Sequence, residues 1–375
     1  MAETGELYRP GLEGIIAGET LISAVKQDSL MYRGYAIDEL AEKSTFEEVA
    51  YLLLYGELPT APQLKAYSAL LDKHRALPRE VLETIRMTPK HTPGMDVLRT
   101  GVSMAGHFCP IAGSDKAALI EKATRILAIV PTIIGARLHY LAGKPPVAPM
   151  PGLSHAAQAL WLALGKEPPA LHARVIDLTL ILYAEHEFNA STFACRVTAS
   201  TLSDIYSGIV TGVGTLKGPL HGGANEETMH LIQRFKSGDE ARKWAEDAIA
   251  RKEKVVGFGH RVYKNGDHRS WILEKELAEL AETHSEKRLM DVYYAIQKVM
   301  HEKRKIYMNV DYPCGLTYYY LGLPIDIYTP LFVASRVSGW AAHFIEQVTN
   351  NRIIRPLSRY EGPAERRYVP VDNRR

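Results

Sequence analysis

Cysteine is scarce in this chain, and no metal-ligand spacing accompanies it. Cys109, Cys195 and Cys314 are far apart and form no CxxC pair. This pattern excludes a disulfide framework and a cysteine-based zinc site. His221 and His230 also lack cysteine or acidic partners at metal spacing. We therefore expect a protein of the reducing cytoplasm that binds no metal.

An excess of one charge and long apolar runs are also absent. The 375 residues include 45 Lys and Arg against 43 Asp and Glu, a net charge of +2. Such balance gives no reason to expect a nucleic acid or a membrane as partner. No apolar run reaches the about 18 residues of a membrane span, and the first residues lack the pattern of a signal peptide. The length predicts two domains or one large one.

Most of the sequence shows the apolar periodicity of α-helices. A capping box at Ser44 and Glu47 predicts a helix that Gly56 ends. Alternation near 30–34 predicts a small hairpin, and proline and glycine at 145–152 predict a loop before a helix near His155. The segment 199–214, rich in small residues, predicts a helix in close contact with its neighbours.

Two charged amphipathic segments, 239–254 and 276–305, indicate the outer helices of a second, more solvated unit. The sequence therefore predicts a mainly α protein of two domains. We expect a large helical domain from 1–221 and 317–375 and an inserted small helical domain from 222–316.

Four short stretches place His, Asp and Arg where helical runs end: 183–189, 218–225, 257–269 and 309–312. Asp311 has apolar neighbours, which would raise its pKa and suit a general base; the competing interpretation is a helix N-cap. His221, before two glycines, could present a neutral imidazole to an oxyanion, or could be a solvated turn residue. His186, read as part of a helix, alone favours a structural hydrogen bond.

Arginines accompany these histidines. Arg269 follows His260 and carries a guanidinium suited to gripping a carboxylate. Arg336 lies in an apolar helix, where its charge needs an anionic ligand or an ion-pair partner such as Glu346. Together with Arg355, these two arginines and the histidines His186, His221 and His260 favour a substrate that carries several carboxylates.

Together these stretches resemble the citrate synthase family, and the resemblance covers nearly the whole chain. It begins at 11–14 and 32–35, continues through 46–49 and ends at 351–356. The most specific part is Gly-Phe-Gly-His260 with Val262, Lys264, Asp267 and Arg269 at family spacing. His268 departs from the Pro or Ser usual there, and we expect it to shift the loop without abolishing activity.

The resemblance implies a citrate synthase-like helical fold and an acyltransferase of the tricarboxylic acid cycle. Such an enzyme condenses oxaloacetate with acetyl-CoA, then hydrolyses the product to citrate and CoA, and acetyl-CoA is a substrate rather than a cofactor. Asp311 would remove the methyl proton, His221 would stabilise the enol or enolate, and His260 would polarise the oxaloacetate carbonyl.

The resemblance also implies the binding residues. His186 and Phe332 would contact oxaloacetate, whose carboxylates Arg269, Arg336 and Arg355 would hold. Arg355 would come from the partner subunit, so we expect a homodimer. CoA contacts would come from Lys252, Lys254, Val256, Gly257 and Lys264, although exposed lysines are usually only solvated.

Four alternatives stay open. The segments 183–193 and 338–347 look like those of 2-methylcitrate synthases, which use propionyl-CoA. One methylene is worth only about 1–3 kcal/mol in a hydrophobic pocket, so a dual-specificity enzyme is a further alternative. A catalytically silent paralogue that serves assembly is disfavoured because every chemical position is present, and a citryl-CoA-cleaving relative is weaker still.

Overall fold

The computed structural model describes residues 8–26, 29–260, 262–263 and 265–374. Within these ranges the chain is 61% helical with sixteen α-helices, which confirms the predicted mainly α class. The helices are α1 (Ile37–Lys43), α2 (Phe46–Tyr55), α3 (Ala61–His74), α4 (Arg79–Met87), α5 (Gly94–His107), α6 (Lys116–Leu141), α7 (His155–Leu164), α8 (Ala170–Tyr183), α9 (Ala190–Ser200), α10 (Ile205–Leu216), α11 (Ala224–Gln233), α12 (Gly238–Ala250), α13 (His268–Glu282), α14 (Arg288–Arg304), α15 (Asp311–Tyr320) and α16 (Tyr328–Thr349). Among the described residues no helix is long and apolar enough to cross a membrane.

A small antiparallel meander precedes the helices and confirms the predicted hairpin. It consists of β1 (Ser23–Lys26), β2 (Ser29–Tyr32) and β3 (Tyr35–Ala36), with β2 in the middle. Ser23 pairs with Tyr32 in the register. Tyr32 is fully buried, so the meander is anchored in the helical core rather than standing apart from it.

The capping box of α2 lies one residue later than predicted. Thr45 accepts a hydrogen bond from the backbone N–H of Glu48, whose carboxylate accepts one from the N–H of Thr45. Ser44 instead donates to the carbonyl of Leu40 in α1, and Glu47 is buried against the backbone N–H of His155. The predicted helix end at Gly56 is confirmed, since Gly56 adopts the left-handed conformation with φ 104°.

Two segments predicted as single helices are each divided. The small-residue segment 199–214 breaks between α9 and α10, because Asp204 caps α10 by accepting a hydrogen bond from Ser207 N–H at 3.1 Å. The charged segment 276–305 likewise divides into α13 and α14. The predicted start of a helix at His155 is confirmed.

α16 lies at the centre of the core and is buried along nearly all of its length. It packs against α6, α9 and α10, while α12 packs on α14 and both α11 and α13 pack on α15. Glycines on α10 permit the close approach: a Cβ at Gly208 would lie 2.5 Å from the Phe344 ring, and one at Gly212 2.8 Å from Trp340. This explains the density of small residues in α10.

We predict that Gly208→Ala lowers the free energy of unfolding by about 1–3 kcal/mol, because the added methyl overlaps the buried Phe344 ring. Gly214→Ala on the same helix is the matched control, since its Cβ would meet only Arg99 at 3.9 Å. Chemical denaturation of both variants measures the difference. Equal stability of the two variants would contradict this packing.

Candidate active site

The stretch that contains His260 and the stretch that contains Asp311 lie side by side. Phe258 and Met308 form an antiparallel bridge, the N–H of Gly259 donates to Tyr307 O at 2.8 Å, and the N–H of Asn309 donates to Gly257 O at 2.9 Å. A Cβ at Gly257 would lie 2.8 Å from the Tyr312 ring, so only glycine allows this approach.

Asp311 is the first residue of α15, and its carboxylate faces Tyr183 at the end of α8. Tyr183 Oη donates to Asp311 Oδ1 at 2.6 Å. The N-cap interpretation is therefore wrong: no side-chain cap is made, and the Asp311 N–H itself donates to Asn309 Oδ1. Burial raises the pKa of Asp311 above its usual value, which the Tyr183 hydrogen bond partly offsets. The arrangement gives a carboxylate with raised basicity.

His221 lies in the turn between α10 and α11 and contacts the first turn of α9. Its Nε2 accepts a hydrogen bond from the backbone N–H of Ser191 at 3.2 Å and lies 2.8 Å from Ser191 Oγ. An amide N–H can only donate, so the ring proton is assigned to Nδ1. Burial and the charge of Arg336 lower the pKa of His221 to about 4. His221 is thus a neutral imidazole with Nδ1–H as its donor.

His260 has the opposite tautomer. Its Nδ1 accepts from the backbone N–H groups of Val262 and Tyr263, both at 3.1 Å, which assigns the ring proton to Nε2. The ring lies 4.4 Å from that of Tyr263 and 5.2 Å from that of His186, centroid to centroid. Backbone N–H groups therefore determine which ring nitrogen carries the proton in His221 and in His260.

His186 lies in the connection between α8 and α9 rather than on a helix, contrary to the sequence interpretation. Its Nε2 is 3.1 Å from Tyr263 Oη. Burial, followed by the charge of Arg269 and the neighbouring His260, holds its pKa well below the usual value. His186 is a neutral side chain beside His260.

Arg269 forms a buried pair with Asp267 at the start of α13. Its Nε and Nη2 donate to the two carboxylate oxygens at 3.0 and 2.8 Å. Asp267 Oδ2 also accepts from the backbone N–H of Val310 at 3.1 Å, which ties the pair to the Asp311 stretch. Burial would lower the pKa of Arg269, but the Asp267 contacts outweigh burial and raise it.

Arg336 has no such partner. Its Nε donates to Tyr183 O at 2.6 Å, and its guanidinium carbon lies 4.7 Å from the Phe332 ring centroid. No carboxylate of the described residues lies within 4.0 Å of it, and the predicted partner Glu346 instead pairs with Arg196 at 2.6 Å. A buried guanidinium without an ion-pair partner is a suitable receptor for a ligand carboxylate.

Phe332 joins this group by packing on Tyr183, with ring centroids 4.3 Å apart. Among the described residues, these contacts, together with the influence of the Arg336 charge on His221, relate eight sequence-predicted positions: His186, His221, Gly257, His260, Arg269, Asp311, Phe332 and Arg336.

Arg355 and the CoA candidates are placed differently. Arg355 is exposed in the extended C-terminal segment. Lys252 and Lys254 are exposed, Val256 is half-buried, and Lys264 lies outside the described residues. Beside this stretch is a cavity of about 230 Å³, lined by Phe258, Trp271, Gln297, Lys298, His301, Ile306, Tyr307 and Met308.

Several contacting residues were given no role from the sequence. The sequence pattern includes Tyr183 only within the segment 183–189, and it does not pair Ser191, Tyr263 or Asp267 with the candidate catalytic groups. Asp267, two residues before Arg269, and Tyr263, three residues after His260, are the two that spacing alone could have paired. The others meet their partners only through the fold, so no local signal identifies them.

The chain is similar to known proteins over nearly its whole length. A family profile described as "Citrate synthase, C-terminal domain" matches residues 11–357. The chain is 43% identical to 2-methylcitrate synthase of Shewanella oneidensis over all of both chains, and 41% identical to citrate synthase of Mycolicibacterium smegmatis over 96% of each. Citrate synthase of Thermoplasma acidophilum, solved with carboxymethyl coenzyme A and oxaloacetate, superposes with a TM-score of 0.92 at 34% identity, covering 97% of this chain and 98% of that one.

Proposed function

This chain belongs to the citrate synthase family, a group of acyltransferases, and we propose that it condenses acetyl-CoA with oxaloacetate to give citrate and CoA. One observation carries the proposal. A buried carboxylate of raised pKa lies in the same site as two imidazoles whose donor nitrogens are set by backbone amides. Base and oxyanion donors together are what carbon-acid deprotonation needs.

In the first step Asp311 accepts a proton from the acetyl methyl group, and the electron pair of that C–H bond moves into the enol or enolate. His221 donates from Nδ1 to the thioester oxygen, where negative charge develops. The low pKa of His221, about 4, keeps this donor neutral near pH 7. A neutral donor suits the role because it stabilises the oxygen without being a strong acid in the ground state.

In the second step the enol carbon attacks the oxaloacetate ketone and forms the new carbon–carbon bond. His260 donates from Nε2 to the ketone oxygen, which takes up a proton as it becomes the alcohol. Arg269 and Arg336 hold the oxaloacetate carboxylates beside His186 and Phe332. Water then cleaves the thioester, which releases citrate and the CoA thiol.

CoA is proposed to bind along Lys252, Lys254, Val256 and Gly257, with Lys264 beyond the described residues. The neighbouring cavity supports this placement, because Trp271 and Tyr307 offer aromatic faces to a purine and Lys298 offers a positive charge to phosphate.

We assign the proposed CoA-binding residues to a small domain of residues 222–316. The rest of the chain, 1–221 and 317–375, forms the proposed large domain.

A homodimer is proposed because Arg355 is exposed and, among the described residues, forms no hydrogen bond or ion pair with the other candidate groups of its own chain. The segment that carries it also exposes apolar side chains, with Leu357 91% and Tyr360 76% exposed. Covering them against a second copy would remove this apolar surface from water and deliver Arg355 to the partner's site. We place the enzyme in the cytoplasm and in the tricarboxylic acid cycle on the sequence arguments above.

Propionyl-CoA is the second candidate acyl donor. The Shewanella oneidensis relative, named 2-methylcitrate synthase, is 43% identical over the full length. Both donors follow the same chemistry, because each has an acidic C–H group next to the thioester. An enzyme with either preference, or with both activities, would use the residues assigned above.

The deciding experiment is thiol release from acetyl-CoA and from propionyl-CoA, each with and without oxaloacetate, compared as kcat/KM. We expect release that depends on oxaloacetate, and the preferred acyl donor decides between citrate synthase and 2-methylcitrate synthase activity.

Asp311→Asn should lower kcat by at least 1,000-fold, of the order expected for losing a catalytic base, while oxaloacetate binding persists. No release from either donor, in folded protein that binds oxaloacetate, would favour the silent paralogue.

Tyr183→Phe should move the acid limb of the kcat/KM profile to higher pH. The Tyr183 hydroxyl stabilises the Asp311 carboxylate, so its loss raises the Asp311 pKa further. Activity requires the carboxylate, and activity is lost as pH falls through that pKa, so the loss begins at higher pH in the variant. Tyr318→Phe, which removes a buried hydroxyl near Thr179, is the matched control. An unmoved acid limb would contradict this tuning.

Co-expression of Arg355→Ala with Asp311→Asn tests the shared site. Each homodimer lacks one essential group, but the mixed dimer combines Asp311 of one chain with Arg355 of the other. Statistical pairing then restores about one quarter of the wild-type activity at low oxaloacetate. If Arg355 served its own chain, both sites of the mixed dimer would stay defective and no activity would return.

A further inference from the structure

Glu185 is a fully buried acid next to the candidate site that the proposed mechanism does not use. Its Oε1 accepts hydrogen bonds from Ser23 Oγ at 3.0 Å and from His343 Nε2 at 2.9 Å. Its Oε2 is buried and has no hydrogen-bond partner among the described residues. A Cβ on Gly339 would overlap Oε2, so α16 lies directly against this carboxylate.

The surrounding hydrogen bonds show that His343 does not neutralise Glu185. Arg196 Nη1 lies 3.0 Å from His343 Nδ1, and a guanidinium can only donate, so Nδ1 accepts. The ring proton is then on Nε2, and His343 is a neutral donor to Glu185. The charge of Arg196 is itself balanced by Glu346, 2.6 Å away. One negative charge therefore remains on Glu185.

The matching positive charge is that of Arg336. Arg269 is paired with Asp267, whereas Arg336 has no ion-pair partner within 4.0 Å among the described residues. Arg336 and Gly339 are three residues apart on α16 and share one face of it. Arg336 donates to Tyr183 O, and Gly339 contacts Glu185. Both α16 residues therefore lie against the segment that follows α8.

Titration behaviour agrees with this pairing. Burial lowers the pKa of Arg336, and the negative charge of Glu185 is the largest influence against that lowering. Burial would raise the pKa of Glu185, whereas the hydrogen bond from the neutral His343, the charge of Arg336 and the hydrogen bond from Ser23 lower it below the usual value. Both groups are therefore ionised in the empty site.

We propose that Glu185 is a positioning residue that balances the charge of Arg336 in the empty site and thereby weakens the binding of oxaloacetate and of the tricarboxylate product. This inference rests on the proposed function, because it concerns the same anionic ligand. Without ligand, Glu185 compensates a buried cation. With ligand, its negative charge opposes the carboxylates that Arg336 receives, and this repulsion favours product release.

The test is Glu185→Gln, which keeps the shape and removes the charge. We expect the variant to unfold at a lower temperature without ligand, because Arg336 is then uncompensated, and to bind oxaloacetate at least threefold more tightly. Calorimetric titration gives the Kd, and thermal unfolding with and without oxaloacetate gives a larger ligand-induced shift than in the wild type. Glu187→Gln, on the same connection, is the control and should change Kd by less than twofold.

A purely structural role for Glu185 would lower both stability and affinity, so unchanged or weaker binding by folded Glu185→Gln protein overturns the proposal. Wild-type protein that does not bind oxaloacetate would instead remove the proposed function and this inference with it.

The double variant Glu185→Gln/Arg336→Gln is a second test that needs no ligand. Removing both charges should cost less stability than the sum of the two single changes. If Glu185→Gln alone does not fold, Arg336→Gln must restore folding, and failure to do so also overturns the proposal.

Discussion

The site depends on one short segment, Tyr183 to Ser191, which connects α8 to α9. Tyr183 bonds to the carboxylate of Asp311, His186 packs against His260, and Ser191 fixes the tautomer of His221. All three candidate catalytic groups, which come from distant parts of the sequence, are therefore positioned by nine consecutive residues. A displacement of this segment would disturb the proposed base Asp311 and the proposed donors His221 and His260 together.

Burying the polar backbone of this segment in a helical core costs free energy unless its groups are hydrogen-bonded. Tyr32 of the N-terminal meander provides some of these hydrogen bonds. Tyr32 Oη accepts from the Glu185 N–H at 3.3 Å, and its single proton is shared between the carbonyl oxygens of Ile181 and Glu185, 3.2 and 3.0 Å away. The buried backbone groups around the end of α8 gain a side-chain partner in this way. Tyr183, Glu185 and His186 thus lie together at the end of α8. Burial, followed by the charges of the nearby arginines, lowers the pKa of His186 and of His221 and keeps both side chains neutral.

The sequence predicted the helical class, the hairpin and the four polar stretches, because periodicity and interruptions of periodicity are local properties. The sequence did not predict the correct residue where two nearby side chains could make the same interaction. Ser44 and Thr45 could each cap α2, and only packing of Glu47 against His155 decides for Thr45. Glu346 was a reasonable partner for Arg336, but Arg196 on another helix takes it. The partners of His221 and Asp311 required the fold, since they lie 30 and 128 residues away.

Backbone amides hold the imidazoles of His221 and His260 in opposite neutral tautomers, in the site that contains the proposed base Asp311. Nitrogen-15 NMR of histidine-labelled protein tests it most directly, with His221→Asn and His260→Asn variants to assign the signals. The account predicts a protonated Nδ1 at His221 and a protonated Nε2 at His260 at neutral pH. The same tautomer at both positions, or a doubly protonated His221, would contradict it.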